Sequence, residues 1–297
     1  MQARAAKQNH TIDYLQPMIR LSLVHRKPIH YFVLLFASSA LYLGCQQPAG
    51  IKSGAAAAKP IIAASQPATQ VAKLSPFVVH LPGIAGEAPI DRTLVKGFVG
   101  LSDDIIIYDW TEKDSGIHAL QAMERNKKQA AIVAAEITRR YRETPQRDLF
   151  ITCHSGGAGI AAWTLEALPA DVKITRWIML APALSPQYDL SKALSHVSDK
   201  AYVFWSNRDT IVLSVGTKTF GTIDGQYCDA AGYVGYKQPT SADAAQYQKL
   251  LQYPYNPNWT IYYNSGDHLG TMTTRFSENV LVPILKQSPD RLPAPAK

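Results

Sequence analysis

The chain has 297 residues, enough for one large α/β domain or two small ones, and its 46% hydrophobic and 18% charged residues are typical of a globular rather than a disordered protein. The formal net charge is +7, but residues 1–44 contain five basic residues and one acidic residue. No basic run with interleaved aromatic residues remains in the rest of the chain, so the composition argues against a nucleic-acid partner.

The N-terminus has the pattern of an export signal. A basic stretch ending in Arg26 and Lys27 precedes the apolar residues 31–43. This run is short for a membrane span, which needs about 20 residues, and it fits the core of a signal peptide. We therefore predict a signal peptide over residues 1–44, with Met18 as an alternative start.

The end of this segment suggests lipid attachment. Leu41-Tyr42-Leu43-Gly44-Cys45 resembles the lipobox of bacterial lipoproteins. The resemblance implies a lipidated Cys45 and an exported protein held at a bacterial membrane, facing the periplasm or the exterior. Plain secretion, an uncleaved signal anchor and an ordinary apolar helix are the alternatives.

Composition divides the rest of the chain. Residues 45–73 are rich in Ala and Pro and read as a tether, residues 74–287 as one folded domain, and residues 288–297 as a loose tail. The chain has three cysteines, too few for a disulfide scaffold. Nothing in the spacing supports a Cys153–Cys228 bridge or a Cys/His metal site.

Six short apolar runs without polar alternation predict buried parallel strands. They are Phe77–Val79, Ile105–Tyr108, Leu149–Ile151, Trp177–Leu180, Tyr202–Trp205 and Ile261–Tyr263.

Helix-like segments separate these runs. The clearest is Asn126 to Glu143, which carries one apolar stripe and for which Asn126 followed by Gln129 predicts an N-terminal cap. Strands that alternate with helices indicate βαβ units, hence an α/β fold with a mostly parallel central sheet flanked by helices.

A serine follows the third run at a position suited to a nucleophile. Ser155 lies where a strand meets a helix rich in small residues, and such a sharp turn would present its hydroxyl above the sheet edge. The turn needs small residues two positions before and after the serine, where Cys153 and Gly157 stand. The helix N-terminus adds N–H groups near a developing negative charge.

An acid and a histidine follow later predicted strands in the order Ser155, Asp209, His268. At this point the chain resembles the α/β-hydrolase family, whose nucleophile elbow reads Gly-x-Ser-x-Gly and whose triad follows the chain order Ser, Asp or Glu, His. The resemblance covers about residues 75–287, with Cys153 replacing the first glycine. Ser206-Asn207-Arg208-Asp209 is similar to the family's acid turn, with serine replacing glycine, and Gly266-Asp267-His268-Leu269 to its histidine loop.

The resemblance implies a mechanism and an oxyanion hole. Ser155 would be the nucleophile, His268 the base and Asp209 the acid that orients it. The oxyanion donors would be the backbone N–H groups of Gly156 and of Ile84, with Ala85 as the next choice. Neither a cofactor nor a metal is implied.

Each of these residues also has a structural reading. Ser155 could cap a helix, Asp209 could be an ordinary turn residue with Asp224 or Asp229 as the acid, and His268 could be a loop histidine. His154 is expected to point sideways from the turn. His80 and His118 are candidate pocket residues, and Cys153 is a poor candidate for the nucleophile.

The lengths of the segments between the predicted strands indicate which of them could flank a substrate pocket. About twenty residues separate the fourth and fifth predicted strands, with one helix near residues 189–197, which leaves no room for a large cap domain. The fifty residues between Asp209 and Trp259, and the loop 109–125, are expected to flank the pocket. The longer insertion contains Tyr227, Tyr233, Tyr236 and Tyr247, which surface packing would explain equally well.

These observations predict a serine hydrolase that acts on a small-molecule or lipid ester through an acyl-enzyme. The alternatives are a peptidase, thioesterase or amidase with the same triad, or a non-catalytic envelope lipoprotein that uses the fold for binding.

Overall fold

A computed structural model describes residues 74–114 and 116–286. The predicted signal peptide, Cys45, the tether and the tail therefore lie outside the described residues. Within the two described ranges, no helix combines the length and the apolar character that crossing a membrane requires.

The core of the fold is a six-stranded parallel sheet with the order β2-β1-β3-β4-β5-β6. This arrangement confirms the predicted α/β class with a parallel sheet. The strands are β1 (Phe77–Leu81), β2 (Asp104–Ile107), β3 (Leu149–His154), β4 (Ile174–Leu180), β5 (Val197–Trp205) and β6 (Leu250–Pro254).

The last predicted strand is wrong. Residues Pro257–Tyr262 form a 3-10 helix, because the Asn256 side chain accepts the Asn258 N–H and Pro257 fills the first helical turn. The real β6 pairs with β5 at the edge of the sheet. Most of its residues are only half-buried, so its sequence carries a weaker apolar signal.

Helices cover both faces of the sheet, as the apolar strands predicted. Alternate strand residues point to opposite sides, so that Phe77 and Val79 pack with α3, α4 and α5, whereas Val78 packs with α1, α9 and α10. The helices are α1 (Pro89–Lys96), α2 (Gly116–Gln121), α3 (Met123–Glu143), α4 (Gly157–Glu166), α5 (Ser191–Ser195), α6 (Thr217–Phe220), α7 (Ala231–Val234), α8 (Ala244–Tyr247), α9 (Thr274–Phe276) and α10 (Val282–Lys286).

Helix α3 differs from its prediction at the N-terminus. It begins at Met123, and the N-cap position is Ala122. Asn126 is not the cap. Its side chain is buried and donates to the Ala119 carbonyl oxygen, which ties α3 to α2. The predicted cap is wrong because the hydrogen bond to Ala119, in the preceding helix, uses the side chain instead.

Two connections bear on the site. Between β4 and β5 the chain forms only loops and the five-residue α5, so no large cap domain is inserted there. Between β5 and β6 it forms a π-helix, Ile211–Gly216, and then α6, α7 and α8. Asp209, the predicted acid, lies in this second connection, two residues before the π-helix.

Candidate active site

The turn after β3 has the geometry of a nucleophile elbow. Ser155 has a φ of 52°, in the left-handed region that few residues other than glycine adopt. Its N–H donates to the Leu180 carbonyl oxygen, and its own carbonyl accepts from Ala183 N–H, both at 3.0 Å. A Cβ on Gly157 would lie 2.3 Å from the Leu81 oxygen. Only glycine fits that position, because the following helix touches the β1 backbone.

The structure brings Ser155, His268 and Asp209 into one hydrogen-bonded chain. His268 Nδ1 lies 2.6 Å from Asp209 Oδ2, and His268 Nε2 lies 3.0 Å from Ser155 Oγ. Because a carboxylate only accepts, Nδ1 carries the proton and the Nε2 lone pair faces the serine hydroxyl. This geometry can draw the proton from a serine hydroxyl and so activate it as a nucleophile.

The three residues differ in how much of their surface is exposed to solvent. Ser155 and Asp209 are 4% and 3% exposed, whereas the His268 side chain keeps 15% of its surface open. The Ser155 side chain does not cap α4, whose N-cap is Gly156. The nucleophile and the acid are therefore shielded, and the imidazole lies toward solvent between them.

The two alternative candidates for the acid, Asp224 and Asp229, make contacts with residues outside the triad. Asp224 accepts from Ser185 and Thr222, and Asp229 pairs with Lys218. His268 follows β6 only after the 3-10 helix, not directly after a strand as predicted.

Two backbone N–H groups near Ser155 lack an acceptor among the described residues. The loop after β1 lies against the elbow, with Gly83 so close that an added Cβ would be 3.4 Å from Ser155 Cβ. An ideal Cβ on Gly156 would lie 3.8 Å from Ile84 N. Neither the Gly156 nor the Ile84 N–H donates to any acceptor within the described ranges. Both are thus free of a main-chain acceptor there, and their role as oxyanion donors stays a prediction.

Two buried residues that the sequence analysis missed hold this loop. Asp91 accepts from His80 Nε2 at 3.0 Å and from the Ala88 N–H at 2.9 Å, so one carboxylate ties the two ends of the loop together. Trp110 donates its indole N–H to the Pro82 carbonyl oxygen at 2.8 Å. A buried tryptophan just after β2 was the available signal, since its N–H needs an acceptor.

The contact with His80 affects the acidity of Asp91. Burial works to raise the pKa of Asp91, but the hydrogen bond and charge of His80, together with the Ala88 N–H, outweigh it. The pKa of Asp91 therefore lies below its usual value. His80 itself is fully buried and also contacts Thr152, so it is part of this network and not a pocket-lining residue, while His118 is exposed on α2.

Cys153, which stands where the elbow motif has glycine, points into the core. The Trp177 indole N–H lies 3.4 Å from its sulfur, and burial raises the pKa of the thiol to about 12. The thiol therefore stays neutral and faces away from the position that the elbow presents. Cys153 and Cys228 are both free.

The insertion after Asp209 differs in part from what was expected. Tyr236 and Tyr247 are buried in the core and do not face the triad. Tyr227 is exposed and lines a cavity of about 670 Å³, together with Ser185, Tyr188 and Asp224. None of the three triad residues lines this cavity. On the other side, the Gly116 N–H donates to the Ile84 carbonyl oxygen, so the loop before α2 does reach the site.

The strand order, the parallel sheet and the elbow after β3 define an α/β-hydrolase fold. No protein-family model matches the chain, and comparison with curated proteins finds no significant match.

Solved structures provide distant fold matches. The chain is similar to esterase PE8 at 15% identity, with 72% of this chain and 93% of that chain covered and a TM-score of 0.40. It is also similar to the Pyrococcus furiosus esterase Pf2001, at 10% identity, 71% and 82% coverage and a TM-score of 0.43. The Bacillus licheniformis lipase BlEst2 matches at 14% identity, 71% and 92% coverage and a TM-score of 0.41. These likenesses are too low to assign an activity.

Proposed function

We propose that the chain is a serine hydrolase that cleaves carboxylic esters through an acyl-enzyme. The observation that carries this proposal is the hydrogen-bonded chain from Asp209 through His268 to Ser155, at 2.6 and 3.0 Å. A binding protein has no need of a shielded serine hydroxyl aligned on an imidazole lone pair. These two distances also argue against the alternative of a non-catalytic binding protein.

The reaction proceeds in two transfers. Ser155 Oγ attacks the ester carbonyl carbon while His268 Nε2 takes the hydroxyl proton, and the tetrahedral oxyanion accepts from the Gly156 and Ile84 N–H groups. When the intermediate collapses, the C–O bond to the alcohol breaks and His268 returns the proton to the departing oxygen. Water then attacks the acyl-serine with the same base. Asp209 stays ionised and stabilises the imidazolium throughout.

Exposed apolar side chains favour an ester with an apolar acyl group. Several large hydrophobic residues are exposed a few positions in sequence after Asp209, after His268 or after Gly116, whose N–H donates to the Ile84 carbonyl oxygen. Ile211, two residues after Asp209, is 82% exposed. We call this set the apolar rim, and its members are Ile117, Ile211, Val212, Val215 and Leu269.

The test is labelling with a fluorophosphonate probe together with hydrolysis of a panel of acyl esters. Wild-type protein should be labelled and active, and Ser155→Ala should lose labelling and about 10⁴-fold or more in kcat. Thioester and amide analogues in the same panel separate the esterase from the alternatives with the same triad. Equal labelling of wild type and Ser155→Ala would refute the proposal.

The location at the cell envelope is a separate proposal that rests on the sequence of residues 41–45 alone. Lipid attached at Cys45 would tether the hydrolase to a bacterial membrane through the Ala/Pro-rich segment. Metabolic labelling with a fatty acid should mark the wild-type chain and not Cys45→Ser. Unchanged labelling of the variant would exclude this site of attachment.

A further inference from the structure

His154 lies beside the two residues that would exchange a proton. It ends β3, directly before Ser155, and its Nε2 lies 2.9 Å from the main-chain oxygen of His268. The two imidazole rings are 4.7 Å apart at their centres. Because a carbonyl oxygen only accepts, His154 Nε2 carries a proton and donates it to this bond.

This bond connects the histidine loop to the sheet. The other main-chain hydrogen bonds around His268 are local, from Gly266 to the Asn264 side chain and from Leu269 and Gly270 to Asp267. Within the described ranges, the bond from His154 is the one that fixes the His268 main chain to a strand. Gly266, at a φ of 84°, takes a left-handed conformation that favours glycine and makes a turn in the loop just before His268.

His154 is also suited to lie beside a group that becomes charged. Burial, reinforced by the positive charge of a protonated His268, lowers the pKa of His154 to about 3. His154 therefore stays neutral when His268 takes the serine proton, and it adds no second positive charge. It has no hydrogen bond to Ser155 Oγ, so it does not compete with His268 as the base.

We propose that His154 is a positioning residue, whose Nε2–H fixes the main chain of His268 and thereby holds its imidazole at hydrogen-bonding distance from Ser155. This inference rests on the proposed hydrolase function. A displacement of about 1 Å at a reacting group can lower a rate by about 100-fold, so a single bond to the backbone of the base is enough to matter.

The chain offers a matched control for the test. His196 is likewise a buried histidine whose ring nitrogen, Nδ1, lies 2.9 Å from a main-chain oxygen, that of Val172. It lies at the amino end of β5, whereas Ser155 lies at the carboxyl end of the parallel strand β3. His196→Leu and His154→Leu remove the same kind of bond, one far from the triad and one beside it.

The variants are measured in the full-length chain. His154→Leu should lower kcat by about 10- to 100-fold with little change in KM, and His154→Gln, which keeps an N–H donor, should recover most of the loss. His196→Leu should lower thermal stability but leave kcat within about threefold of wild type. Proton NMR gives a readout that needs no activity: the His268 Nδ1–H signal should persist in His154→Gln and exchange with water in His154→Leu.

A failure of the proposed function can be distinguished from a failure of the positioning role of His154. If wild-type protein neither reacts with the fluorophosphonate nor hydrolyses any ester, the proposed function falls, and the Nδ1–H signal still decides whether His154 fixes His268. If His154→Leu folds and keeps both kcat and that signal, the positioning role is wrong. It is equally wrong if His154→Leu and His196→Leu lose activity to the same extent.

Discussion

Gly156→Ala tests the proposed oxyanion hole by placing one methyl group beside it. An ideal Cβ on Gly156 would lie 2.6 Å from Ile84 Cγ2. Carbon atoms in contact prefer about 3.5–4.0 Å, so the two groups must separate by about 1 Å. Gly156 has a φ of −59° and a ψ of −27°, which alanine adopts without strain. The methyl contact is therefore the main perturbation to the folded state.

The expected loss of activity follows from the proposed role of the Ile84 N–H as an oxyanion donor. If the methyl displaces Ile84 by about 1 Å, its N–H leaves the position from which it can reach the oxyanion. Loss of one such donor lowers kcat by about 10²–10³-fold, or about 3–4 kcal/mol of transition-state stabilisation. KM should change little, because the donor acts mainly on the charged intermediate. Overpacking itself should lower the free energy of unfolding by about 1–3 kcal/mol.

The assay combines steady-state ester hydrolysis, the rate of fluorophosphonate labelling and thermal unfolding. Gly100→Ala is the control, since a Cβ there has no atom within 4 Å. The double variant Gly156→Ala with Ile84→Ala removes the clashing Cγ2 and keeps the N–H, so it should regain much of the lost kcat. Activity of Gly156→Ala within threefold of wild type, or a double variant no better than the single one, would refute the reasoning.

Three other predictions concern stability, selectivity and thiol reactivity. The folded pKa of Asp91 lies below its unfolded value of 3.8, so its contribution is complete above about pH 5 and is lost as pH falls through 3.8 toward the folded pKa. Urea midpoints should fall over that window more steeply in wild type than in Asp91→Asn, and parallel curves would contradict this. Ile211→Ser and Val215→Ser should each lower kcat/KM about 3- to 10-fold for long-chain esters but not for acetyl esters. The control Val99→Ser alters a residue 50% exposed outside the apolar rim, and equal losses for both chain lengths would count against the rim. In a Cys45→Ser chain, a thiol reagent should find one reactive cysteine, Cys228, before denaturation and two afterwards, whereas two in the native protein would show that Cys153 is accessible.

The sequence predicted the sheet well where strands are buried on both faces. Continuous apolar runs located β1, β3, β4 and β5, because such strands need apolar residues on either side. The run Ile105–Tyr108 also located β2, a half-buried edge strand. It failed at β6, a half-buried edge strand that contains Gln252. The aromatic residues 259–263 looked more like a strand, but the pair Asn256-Pro257 before them is a helix-start signal that outweighs that pattern.

The site was predictable to the extent that it follows chain order. Ser155 comes directly after β3, and Asp209 lies four residues after β5, both strands that the apolar pattern located. The prediction of His268 did not depend on the exact position of β6, because the loop follows the last strand in either case. Among the supporting residues only Trp110 left a signal in the sequence, because most of their contacts are with residues distant in the chain. His154 reaches across 114 positions to His268, and Trp110 across 28 to Pro82.

The backbone at Ser155 has a consequence for how such a protein would change over generations. A non-glycine residue at a φ of 52° is strained by about 1–2 kcal/mol. Folding alone would favour glycine or asparagine there, and if the proposed function is right, selection for the hydroxyl opposes that preference. A lineage that no longer needed the reaction would therefore be expected to replace this residue early and become more stable by doing so. Under the proposed function, serine at this position would be kept by continued need for the reaction.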